Sequence, residues 1–133
     1  MDAFDRASST LGWAYALKEM YPEAIAAWQA GLRSRKEAEA ASAIGETFRT
    51  SGFRGALKSS LDYLLKKPGP RASFGVSALC AQLGQANEAL AALEKAYAGR
   101  AGGMAYIKSS PLYDPIRSDP RFQDLIRRVG FPQ

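Results

Sequence analysis

The side chains most able to do chemistry in this chain are few, and their spacing does not assemble a reaction centre. Among 133 residues there is no histidine, which removes the commonest general base and the commonest metal ligand. The one cysteine, Cys80, has no second cysteine or histidine with which to complete a zinc site. A free cysteine packs readily as a small hydrophobe, so Cys80 is expected to be buried. Gly52-Phe53-Arg54-Gly55 has the Gly-x-x-Gly spacing of some RNA-binding loops, but it lies between two helical patterns, where a turn accounts for it. Gly99-Arg100-Ala101-Gly102-Gly103 follows a helix and lacks the Gly-Lys-Ser/Thr ending of a phosphate loop; it reads as a flexible link. Asp114 and Asp119 could be drawn as an acid–base pair. Each precedes a proline, and turn-making and helix capping explain them better. An enzyme is not expected, nor any metal or cofactor.

The totals are those of a soluble helical protein. The length suits one domain spanning 1–133 with its own core. Hydrophobic residues make up 47% and charged residues 23%, both ordinary for a globular chain. Alanine is abundant while Val and Ile are scarce, which favours helix, because alanine loses least on entering one. Eighteen Lys and Arg against thirteen Asp and Glu give a formal charge of +5. Such a balance suits acidic partners, nucleic acid or an anionic membrane. Here the basic residues are scattered among acidic ones, which argues against nucleic acid. No apolar run approaches the ~20 residues needed to span a membrane, and the opening MDAFDRASST lacks the apolar stretch of a signal peptide. With one cysteine and no internal disulfide, a cytoplasmic setting is expected. The periplasmic side of an anchored parent is the alternative.

Hydrophobic periodicity places the elements. Residues 7–17 read as a helix with Leu11, Tyr15 and neighbouring alanines on one stripe. Pro22 fits the first turn of a second helix, whose inner face carries Ala24, Ile25, Trp28 and Leu32 at helical spacing. A third helix, 37–50, ends at Ser51-Gly52, and a fourth, 54–66, places Leu57, Leu61, Leu64 and Leu65 inward. Lys67-Pro68-Gly69-Pro70 is a breaker. A fifth helix spans 72–83 and a sixth 87–98, the latter with Ala89, Leu90, Leu93, Ala96 and Tyr97 inward. In the tail, Ser110-Pro111 and Asp119-Pro120 each read as an N-cap followed by proline at the first helical position, and the last helix covers 120–128.

Three helix pairs in about a hundred residues invite a search for repeats. Leu11-Gly12-x-x-Tyr15, Tyr21-x-Glu23-Ala24 and Trp28 resemble the tetratricopeptide repeat. Ala78-Leu79-Cys80, Gly84, Asn87-Glu88-Ala89-Leu90, Leu93 and Ala96 match it again. Gly45, Phe48, Gly52 and Ala56 fill the corresponding places between them, with a turn one residue shorter. Ala24 to Ala56 is 32 residues and Ala56 to Ala89 is 33, close to the ~34 of that repeat. The resemblance implies an all-α fold: a right-handed α-solenoid of three antiparallel helix pairs with a C-terminal capping helix. Its repeats would cover about 5–36, 37–69 and 70–102, with the cap at about 103–133. The tail from Leu90 to Phe122 looks like the ending of a bacterial subgroup. There such repeats close larger signalling proteins, including winged-helix regulators and serine/threonine kinases. No kinase or winged-helix segment is present, so neither activity carries over.

What the resemblance implies is a non-catalytic module that binds a protein or peptide in a concave groove lined by first helices. By register with the family, the groove positions include Arg6, Ser9 and Trp13 in the first repeat. In the second they are Glu39, Ser42, Glu46, Arg49 and Thr50, and in the third Arg71, Phe74, Ala78 and Gln82. Trp13 and Phe74 are the candidate apolar anchors, and Arg49 and Arg71 could hold a carboxylate. Trp13, one residue past Gly12, is expected on the groove side of its helix and not against the partner helix. Two alternatives stand beside this reading: a homo-oligomerisation module, a homodimer for instance, joined through the outer face of the first helix, and nucleic-acid binding through the basic surface.

Overall fold

The computed structural model describes residues 3–130, with side chains from residue 8 onward. All regular structure among the described residues is helical, without strands. The elements are α1 (Ala3–Leu17), α2 (Tyr21–Ser34), α3 (Ala38–Leu65), α4 (Pro70–Gln82), α5 (Ala86–Ala98), the 3-10 helices η1 (Gly102–Tyr106) and η2 (Pro111–Ile116), and α6 (Pro120–Arg128). The chain divides into two compact units, with the boundary between Ser60 and Leu61, inside α3.

In the first unit α1 packs along α2, and small residues set how closely. A Cβ on Gly12 would lie 2.7 Å from Cε2 of the Trp28 indole, so only glycine lets the ring lie across α1. The indole N–H then reaches the carbonyl of Ser9 at 3.4 Å. Ala24, Ile25 and Leu32 of α2 are buried as the periodicity predicts. Leu11 is not: turning Ser8 and Gly12 toward α2 leaves it 49% exposed.

The helix pattern of α3 runs over two helices. Gly52 has φ 74° and ψ −170°, outside the helical region. A Cβ on Gly55 would lie 3.2 Å from the carbonyl oxygen of Thr47. In a straight helix, residues eight apart are separated by roughly 12 Å, so the chain doubles back at Ser51-Gly52. Ala41, Ile44, Ala56 and Leu57 are buried on the two limbs.

Most of the other turns share one device. Glu19, Lys36, Gly84 and Arg100 have φ of 60°, 63°, 79° and 59°. At each, the residue's own N–H bonds a carbonyl three back and the next N–H bonds one five back, as in Met20 N–H to Tyr15 O and Gln85 N–H to Cys80 O. This is the left-handed helix stop that glycine usually provides. Three of these four positions carry a side chain.

In the second unit α4 lies against α5, and η1 and η2 also pack on α4. Val76, Ser77, Ala78, Leu79, Cys80 and Ala81 are all buried. Leu90, Leu93, Met104, Ile107, Tyr113, Ile116, Phe122 and Leu125 complete this core. Leu65, expected inward, is 63% exposed. It is the last residue of α3, at the edge of the Leu57–Leu61–Leu64 stripe, so the helix ends before anything covers it. Asp119 caps α6 by accepting the N–H of Arg121 at 2.8 Å, and Ser110 accepts the N–H of Leu112 at 3.3 Å, so both predicted N-caps form.

Gly12→Ala is expected to destabilise the chain by about 1–3 kcal/mol, the usual cost of overpacking against a rigid ring. Lys36→Gly is expected to stabilise it by about 0.5–1 kcal/mol, because a left-handed backbone costs glycine little. Urea melts of the two variants check both signs; a stabilising Gly12→Ala or a destabilising Lys36→Gly contradicts the packing and turn geometry above.

Candidate functional site

On α4, Arg71, Phe74, Ala78 and Gln82 recur at intervals of three and four and so share one face. The chain's own tail lies on most of that face. Phe74 sits against Gly103, where a Cβ would be 2.8 Å from Cδ2 of the ring. Its ring centroid lies 6.2 Å from that of Tyr113. Ala78 is buried. Gln82 donates its side-chain amide to the carbonyl of Leu112 at 2.8 Å. Arg71, at the start of the helix, is exposed. Thus Phe74 and Gln82, which the sequence resemblance assigns to a groove, are both in contact with residues 103–113.

The tail meets α4 at a buried hydroxyl pair. Ser77 Oγ lies 2.6 Å from the carbonyl of Phe74 and 2.7 Å from Tyr113 Oη. A carbonyl can only accept, and a serine hydroxyl has one proton to give. Ser77 therefore donates to Phe74, and Tyr113 donates to Ser77. Burial raises the Tyr113 phenol well above its ordinary value of 10.0, because an anion there would lose its hydration.

In the first unit the predicted positions are more open. Glu46 and Arg49 are exposed and pair with each other one turn apart. Thr50 donates to the Glu46 carbonyl at 3.0 Å. Glu39, Ser42 and Ser9 are exposed. Trp13 is half-buried, with its ring edge-on to Trp28 of α2 at 4.9 Å between centroids. It therefore touches the partner helix, contrary to the expectation that it would face the groove alone. The reason is that Trp28, lying over Gly12, projects far enough to meet the next residue of α1. The rings continue from Trp28 to Phe53 at 5.8 Å and from Phe53 to Tyr21 at 4.4 Å. The side chain of Arg6 lies outside the described residues.

The remaining reactive groups serve packing. Cys80 is buried, and burial, with Glu88 adding to it, raises its thiol pKa, which keeps it in the poorly nucleophilic form. Asp114 pairs with Arg117 at 3.0 Å. Asp119, whose carboxyl is held below its ordinary value by Arg121, caps α6.

Sequence reasoning missed two arginine anchors. Arg117 donates to the carbonyls of Lys108 (2.6 Å) and Ser110, and its guanidinium lies 5.7 Å over the Phe122 ring. Arg128 holds Glu94 of α5 with two N–H groups and Asp124 with a third, while stacking over Tyr97, which donates its hydroxyl to the Arg128 carbonyl at 2.8 Å. These contacts border an open cleft of about 500 Å³ between α5 and α6, with Leu90, Ala91 and Pro120 in its lining. The sequence shows each arginine one helical turn from an acid, Asp114 or Asp124, but does not show the carbonyls of Lys108 and Ser110 that hold Arg117 or Glu94, 34 residues from Arg128.

The hydroxyl pair gives a pH dependence. Above pH 10.0 the unfolded chain releases the Tyr113 proton and the folded chain keeps it. The folded state then binds more protons, so stability falls as pH rises, by up to about 1.4 kcal/mol per pH unit from this group. Tyr113→Phe is expected to flatten that fall between pH 10 and 11, read as the change in urea midpoint. Identical slopes in the two proteins would show that Tyr113 ionises freely in the fold.

Compared with protein-family models, with curated proteins and with solved structures, the chain matches none at a significant level.

Proposed function

We propose that this chain is a non-catalytic module that binds another protein or a peptide. We read it as three tetratricopeptide-like helix pairs in a right-handed α-solenoid closed by the C-terminal helix, in the setting of a bacterial signalling or regulatory protein. The observation that supports this most is the recurrence of one helix stop, at Glu19, Lys36, Gly84 and Arg100, each with the same two backbone bonds. A single turn geometry that ends helices of 13 to 15 residues is what a repeated helix hairpin requires.

Within that reading the ligand face is formed by first-helix side chains. Trp13 offers an apolar edge, and Glu46 and Arg49 offer charge. The pairing of Glu46 with Arg49 is fully at the surface, where such a pair contributes about 0–1 kcal/mol. A ligand carboxylate can therefore replace Glu46 at Arg49 at little cost. Arg71, Phe74 and Gln82 form the corresponding face of the third pair, where residues 103–113 already fill the place of a ligand beside Phe74 and Gln82.

One observation favours a second reading, self-association. Leu11 is 49% and Leu17 47% exposed on α1, and an apolar stripe of this kind suits an isologous contact with another copy.

Selection of a random peptide library on the immobilised chain tests the first reading. An enriched peptide is expected, and Arg49→Glu should weaken it by about 1–2 kcal/mol, the lower part of the hot-spot range, and more at low salt. Failure to enrich any peptide, together with a dimer in light scattering that Leu11→Lys converts to monomer, would favour self-association instead.

A further inference from the structure

The end of the α4–α5 hairpin carries charge that the fold does not use. From Tyr63 to Asn87 the chain has no Asp or Glu, while Lys66, Lys67 and Arg71 fall within it. From Lys95 to Tyr113 there is again no acid, and Arg100 falls there. The fold joins the two stretches. A Cβ on Gly99 would lie 2.8 Å from Cγ of Pro70, so the start of α4 touches the end of α5, and Arg71 and Arg100 flank that contact. Residues 65–71 are exposed without interruption, as are Gly99 and Arg100. Among the described residues no carboxylate pairs with Lys66, Arg71 or Arg100. Beside these cations stands Leu65, 63% exposed.

Three features select the partner. Arginine forks match carboxylates two bonds at a time, and several cations without local acids attract a polyanion from a distance. An exposed leucine among them has no use against a sugar–phosphate backbone. The aromatic face nearest Lys66 in the chain, Tyr63, is covered by the ammonium of Lys67 at 4.9 Å from its centroid, which denies it to a stacking base. Insertion at a membrane surface needs an apolar face of several residues, and this end supplies one leucine. An acidic peptide with an aliphatic residue between its carboxylates satisfies every group.

We propose that this end of the second unit is a docking surface for an acidic segment of a partner protein, with carboxylates on Lys66, Arg71 and Arg100 and one aliphatic side chain on Leu65. This rests on the protein-binding reading above and names the chemistry of the partner.

The test uses the full chain and four probes: a labelled synthetic peptide of Asp and Glu around a central Leu, the same peptide with Asn and Gln in their place, oligothymidylate, and phosphatidylserine vesicles. The acidic peptide is expected to bind saturably, and the neutral one at least about tenfold more weakly. Lys66→Glu/Arg71→Glu/Arg100→Glu should cost at least about tenfold, the same triple change to Gln somewhat less, and Leu65→Ser about threefold. Helix content should stay unchanged, because these side chains are exposed. Undiminished peptide binding by both triple variants overturns this surface and leaves the protein-binding reading in place. Tighter binding of oligothymidylate or vesicles, lost in the same variants, overturns it in favour of that polyanion. Absence of saturable peptide binding by the unchanged chain overturns it outright.

Discussion

Six consecutive buried residues in α4 govern the second unit. Successive helical side chains are about 100° apart, so Val76 to Ala81 point in every direction around the axis. A helix buried all round must be covered all round. α5 covers one side, Leu64 at the end of α3 reaches Gly75, and η1 and η2 in the segment after α5 cover another side. That requirement explains why the chain between α5 and α6 is not a long helix. It has to cross α4, and two short 3-10 stretches, the second with Pro111 at its start and Pro115 inside it, do this over a small distance. It also explains the one polar intrusion. Ser77 is buried because the surface it occupies is covered, and Tyr113 brings with the cover a hydroxyl that satisfies it. The unsatisfied alternative would cost about 1–3 kcal/mol. The face of α4 that carries Phe74, Ala78 and Gln82 is spent on folding, while Arg71 stays exposed.

The first unit solves its covering problem with rings. Gly12 removes a Cβ so that Trp28 can lie across α1, and Trp13, Phe53 and Tyr21 extend the contact at centroid spacings of 4.4 to 5.8 Å. Such pairs contribute about 0.5–1.5 kcal/mol each beyond area burial. The rings remain half-buried, so their outer edges are part of the surface. The same geometry that packs α1 to α2 therefore decides what α1 turns outward: Ser8 and Gly12 face in, and Leu11 and Leu17 face out.

Much of this was legible in the residues, where local rules apply. Alanine and leucine at helical spacing predict the buried faces of α2 and the sixth predicted helix, because periodicity reports burial directly. Prolines after Ser110 and Asp119 predict the caps, because capping is a contact between near neighbours. Nothing in Lys18-Glu19-Met20 announces the left-handed backbone at Glu19. The tail's docking on α4 was not legible. Phe74, Ala78 and Gln82 read equally well as an open face, and their partners Gly103, Tyr113 and Leu112 lie about 30 residues further on. The uninterrupted run from Val76 to Ala81 was the available signal: it has no polar side that could have stayed in water, Ser77 excepted. Leu65 misleads for the opposite reason, since a stripe predicts an inner face but not where the neighbouring element ends.

Pairing, more than composition, decides where the charge of this chain is felt. The tail is rich in arginine, yet Arg117, Arg121, Arg127 and Arg128 each have a carboxylate partner, and Arg117 also binds two carbonyls. The acids that answer them, Asp114, Asp119, Asp124 and Glu94, are spent in the same contacts. Those pairs are near neutral at a distance, whatever they contribute locally. The stretch around α4 has no acid to spend, and its cations sit at one end because two antiparallel helices bring their termini together. A scattered excess of five positive charges in the sequence thus becomes, in the fold, an excess with a location. An approaching polyanion responds to that location and not to the total.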